Sequence, residues 1–136
     1  MKLLKCFAFV LLLSTAFVAC KKDNDGISST PPNPSASPFT GKWIGKFGFN
    51  DETPNAFFSL NIKSNGEIQE LNSSGVAKGK GTYTIEGSVL KGTYKMVFSP
   101  FNEYSVIATV NAAGKMEGSW GYDKNGTDGG KILLSK

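Results

Sequence analysis

The chain has 136 residues, with 15 basic against 11 acidic side chains and no histidine. Every basic residue is Lys, so two kinds of side chain are missing: the Arg fork suited to phosphates and base edges, and the imidazole suited to general-base and metal chemistry. Lys2 and Lys5 fall in an apolar leader. That leaves 13 lysines against 11 acids beyond residue 20, too small an excess for a nucleic-acid-binding field.

In chain order, Lys2 and Lys5 precede an apolar run from Phe7 to Val18, interrupted only by Ser14 and Thr15. A bilayer crossing takes about 20 apolar residues, so this shorter run reads as a removable signal over residues 1–19. Cleavage by ordinary signal peptidase at Ala16 or Ala19 is one reading. The other rests on Phe17-Val18-Ala19-Cys20, which resembles the lipobox of bacterial lipoproteins, with Phe17 where Leu is usual. The resemblance implies a diacylglycerol on the Cys20 sulfur, cleavage before it and acylation of the new amino terminus. Buried acyl methylenes contribute about 0.8 kcal/mol each, so such a group anchors firmly to a membrane. Lys21-Lys22-Asp23-Asn24-Asp25 resembles the lysine-then-acidic signal that places lipoproteins on the outer face of an outer membrane. The expected location is therefore the outer membrane, lipid-anchored and exposed at the cell surface. With Cys6 in the leader and Cys20 acylated, the remaining chain has no internal disulfide.

Residues 20–38 read as the lipidated Cys followed by a tether. The stretch Ser28 to Pro38 has four prolines and no large apolar residue, too little to offset ordering entropy. From Phe39 onward short alternating strands follow one another. Trp43, Gly45, Phe47 and Phe49 share a face, then Phe58, Leu60 and Ile62, and Asn65-Gly66 marks a hairpin into Glu67–Leu71. The segment Gly75 to Gly81 reads as a flexible loop leading to a strand at Thr82–Ile85. After a Glu86-Gly87 turn, Leu90, Gly92, Tyr94 and Met96 share a face. So do Tyr104, Val106, Ala108 and Val110, and then Met116, Gly118, Trp120 and Tyr122. A loop from Asp123 to Gly129 precedes a last strand at Lys131–Leu134. Eight strands with one-sided apolar faces and no helix predict an all-β, antiparallel, up-and-down barrel over residues 39–136, since closure removes exposed edges. Gly45, Gly92 and Gly118 on inward faces are expected to permit its bends.

Thr40-Gly41-Lys42-Trp43 at the start of this meander resembles the Gly-x-Trp opening of lipocalin-like (calycin-type) barrels, and also looks like that of avidin-like barrels. The segments Gly81–Leu90 and Gly114–Gly121 are similar to later hairpins of lipocalin-like domains in bacterial lipoproteins. The resemblance implies a structural role for Trp43, closing the barrel floor, with Gly41 beside it.

Catalysis finds little to stand on. Glu67 and Glu70 are an odd number of residues apart on one strand and face opposite ways, and the carboxylates generally read as solvated charges at hairpin ends. Asp123–Gly129 begins like a calcium loop, but the twelfth position is Leu134 where a bidentate Glu is needed. No enzyme, cofactor or metal site is expected. Eight strands enclose a space that side chains fill or that holds one small ligand. The expected function is binding of a small apolar or amphipathic ligand by Phe47, Phe58, Tyr94, Tyr104 and Trp120. The alternative is a surface protein whose loops, through Phe57, Pro100 and Phe101, bind a protein or glycan partner.

Overall fold

A computed structural model describes residues 37–124 and 126–136. The leader over 1–19, Cys20 and the tether as far as residue 36 lie outside the described residues. Eight strands follow in order: β1 (Gly41–Phe47), β2 (Ala56–Ile62), β3 (Glu67–Leu71), β4 (Ala77–Glu86), β5 (Val89–Met96), β6 (Glu103–Val110), β7 (Met116–Tyr122) and β8 (Gly130–Ser135). Each pairs antiparallel with the next, and β8 returns to β1, with Ile44 opposite Ser135 and Phe47 opposite Ile132. The result is a closed all-antiparallel barrel with no helix among the described residues.

Local chemistry sets the turns. At the β3–β4 and β6–β7 connections an Asn side chain supplies the cap. The Asn72 carbonyl oxygen accepts from the Ser74 and Val76 amides at 3.0 and 2.9 Å. The Asn111 oxygen accepts from Ala113 and Lys115 at 3.0 Å each. Each of these loops also needs one left-handed residue, supplied by Gly75 (φ 82°) and Gly114 (φ 74°).

Inside, the alternation places Trp43, Leu60, Ile62, Ile68, Leu90, Val106, Met116 and Leu134 in one buried core. This half of the barrel is filled and forms its floor. Phe39 folds under it, and the Trp43 indole N–H donates to the Phe39 carbonyl at 2.6 Å while the ring is only 1% exposed. The Lys136 ammonium lies 4.8 Å from the Trp43 ring centre and donates to the Pro38 carbonyl at 2.9 Å. Gly41, beside the Lys136 stem, has φ 125°, a backbone conformation that suits glycine. The polypeptide thus joins the barrel at its closed end.

The structure departs from the sequence expectations at several points. Residues 77–81 are not loop but the first half of β4, which pairs with both β3 and β5. Their glycines make room: a Cβ on Gly79 would press into the Tyr94 ring, and one on Gly81 would collide with the Thr93–Tyr94 backbone. Of the glycines expected inside, Gly45 and Gly118 likewise meet the adjoining backbone, and Gly92 meets the Ile68 and Val106 side chains. Phe57 is not on a loop. It lies on β2 opposite Lys46, on the outer face and half-exposed.

Candidate functional site

The end opposite Trp43 is open. There β1, β3, β5 and β7 finish while β2, β4, β6 and β8 begin, so residues far apart in sequence meet in one ring. A cavity of about 240 Å³ opens among them. Its walls include Phe47, Phe58, Tyr94, Tyr104 and Trp120, all five of the residues singled out from the sequence. Phe49 and Tyr122, placed by pattern on the inward face, sit at the rim and are 46% and 47% exposed. Phe49 lies beyond the end of β1, and Tyr122 ends β7 beyond its pairing with β8.

The rings touch in a continuous chain. Phe47 meets Phe58 at 5.9 Å and Trp120 edge-on at 5.4 Å, and Trp120 meets Phe49 and Tyr122 at 5.5 and 5.4 Å. Tyr104 links Trp120 at 6.1 Å to Tyr94 at 6.0 Å. Edge-to-face arrangements of this kind fix ring positions beyond simple burial. The Trp120 indole N–H donates to the Gly48 carbonyl at 2.9 Å, tying the β1–β2 loop to the rim. Gly129 lies so close to the indole that a Cβ there would collide with it.

The β3–β5 side of the cavity carries Glu70, Lys78 and Met96, none of which was singled out from the sequence. Glu70, expected as a solvated charge, is instead buried: its side chain is 8% exposed and its Oε1 lies 2.7 Å from the Lys78 ammonium. Glu67, on the opposite face as expected, pairs with Lys63 at 3.0 Å outside the barrel; that hydrogen bond, then one from Gln69, holds its carboxyl below the usual range. One signal for Glu70 was available. It stands two residues after Ile68, in phase with the apolar face of β3.

A β-bulge brings Lys78 to the same place. Glu70 pairs with Gly79 and Leu71 with Ala77, leaving Lys78 as the extra residue on β4. Regular alternation would send Lys78 outward beside Lys80, since Gly79 and Gly81 face in; the bulge re-aims it into the barrel. Tyr94 completes the polar group. Burial, then the Glu70 charge and a hydrogen bond to it, hold the Tyr94 hydroxyl well above the ordinary tyrosine range, so it is a neutral donor at physiological pH.

The site is thus a one-ended aromatic cavity with a single internal ion pair. Such a site suits binding: it offers surface, shape and a polar anchor. Among the described residues, no three His, Cys, Asp or Glu side chains converge as metal ligands would. Fold and cavity together define a closed eight-stranded antiparallel barrel, filled at one end and hollow at the other. Compared with known protein families, curated proteins and solved structures, the chain finds no match.

Proposed function

We propose that this protein is a lipid-anchored, lipocalin-like barrel that binds one small amphipathic molecule without transforming it. The observation that carries the reading is the cavity of about 240 Å³, walled by aromatic rings and open at one end only. A barrel serving as scaffold alone would gain stability by filling that space, since unfilled volume forfeits packing. The lipid on Cys20, the outer-membrane location and the surface exposure rest on the leader and on Lys21–Asp25. Phe39 and Trp43, near the start of the described residues, lie at the floor, at the end of the barrel away from the mouth.

A second reading has its own observation. Phe98 and Phe101, on the β5–β6 loop beside Pro100, are 63% and 68% exposed, and Val76 on the β3–β4 loop is 57% exposed. All three stand around the mouth, where exposed apolar groups favour a protein or glycan partner docking on the loops.

Native mass spectrometry of the mature protein after exposure to an extract of its own cells separates the two. A retained small molecule that is lost in Trp120→Ala supports the cavity. Bare protein under every condition, with binding to a macromolecule lost in Phe98→Ser/Phe101→Ser, supports the loops.

A further inference from the structure

The two charges in the cavity are not equivalent. Glu70 is held on β3, paired through its backbone with Leu60 and Gly79, and its side chain is 8% exposed. Lys78 stands on a bulge with its side chain 34% exposed, and a long lysine stem can carry the ammonium out to water. The carboxylate is a fixed part of the site, whereas the ammonium is removable.

Around that carboxylate the walls are π surface. The Tyr94 and Tyr104 rings lie 6.0 Å apart, and Trp120 and Phe47 continue the wall at 6.1 and 5.4 Å. Ring faces carry negative potential and attract cations, most strongly where water is excluded. An anion drawn in by Lys78 would meet both those faces and the Glu70 oxygen, 2.7 Å from the ammonium. A cation would find the carboxylate and the faces acting together. Size narrows the ligand further. About 150 Å³ suffices for benzene, and this cavity is about 240 Å³, enough for a ring and a few more heavy atoms.

Building on the reading of the cavity as a ligand site, we propose that it takes an arylalkyl ammonium, one ring with an amine on a short arm. The ligand ammonium replaces the Lys78 Nζ against Glu70 while its ring stacks among Phe47, Tyr104 and Trp120.

Isothermal titration calorimetry of the mature protein with phenethylamine, 2-phenylethanol and 3-phenylpropionate tests this, because the three share a ring and differ in charge. The amine is expected to bind about tenfold more tightly than the alcohol, and the carboxylate more weakly than either. Glu70→Gln should erase the preference for amine over alcohol. Lys78→Gln, which removes the internal competitor, should tighten the amine several-fold; Glu70→Gln, the milder change for stability, keeps the test decisive if the Lys78 variant fails to fold. Tightest binding of the carboxylate, or weaker amine binding in Lys78→Gln, would overturn the assignment and make Lys78 the receptor. Equal binding of amine and alcohol would also overturn it, while leaving the cavity a ligand site. Failure of all three probes to bind folded protein would overturn it and, together with bare protein in the cell-extract experiment, would take the cavity reading with it.

Discussion

Cutting the Glu70–Lys78 pair from either side is expected to have unequal consequences. In Lys78→Met the carboxylate keeps its buried position, 8% exposed, and loses the ammonium paired with it. Stranding a buried charge costs about 3–5 kcal/mol; the open mouth brings this to about 2–4 kcal/mol. In Glu70→Gln the amide still accepts hydrogen bonds, and Lys78, already 34% exposed, swings to solvent, so the loss is about 0.5–1.5 kcal/mol. The double variant, with no charge left to strand, should return most of the difference. Urea unfolding followed by tryptophan fluorescence reads all three. With a slope of about 1–2 kcal/mol per molar urea, the Lys78 variant should lose more than about 1 M in midpoint and the Glu70 variant distinctly less. Equal losses, or a larger loss for Glu70→Gln, would refute the argument that the carboxylate is fixed and the ammonium free.

Other outcomes follow from the same geometry. Gly81→Ala places a methyl group against the Thr93–Tyr94 backbone, which cannot step aside; a loss of about 3 kcal/mol or more, or a collapse in soluble yield, is expected in urea titration. Trp43→Ala should cost about 3–5 kcal/mol by emptying the floor, while Trp43→Phe loses chiefly the bond to Phe39 and about 1–2 kcal/mol. Tyr94 favours its neutral form in the fold, so its contribution is intact below the ordinary tyrosine value of about 10 and is lost as pH rises above it. Thermal unfolding of Tyr94→Phe should therefore decline less steeply than wild type above that pH, and an identical decline would contradict the burial of the phenol against Glu70.

The barrel was legible because its strands carry clean period-two alternation. Trp43, Phe58, Leu60, Ile62, Leu90, Val106 and Met116 all face inward as the pattern predicts. The aromatic wall was legible for the same reason, each ring being an inward residue near a strand end. Residues 77–81 were not, because Gly79 and Gly81 carry no side chain to mark a face; their reason is the Tyr94 ring and backbone across the sheet. Lys78 was hidden more deeply. Its orientation depends on a bulge that exists only once β3 and β4 are in register, and no local residue pattern announces it. Glu70 was visible by phase with Ile68, but a carboxylate on an apolar face becomes credible only when its partner cation is known to arrive.

The pairing of β8 with β1 has a kinetic consequence. The ring closes through Ile44 with Ser135 and Phe47 with Ile132, contacts between opposite ends of the folded segment. Until those last residues take their place, both β1 and β7 present unpaired backbone, and no smaller piece of the barrel is free of such edges. Folding that waits on so distant a pairing is slow compared with helical proteins of this size. A chain cut before Gly130 should therefore associate through its open strands instead of settling into a seven-stranded remnant.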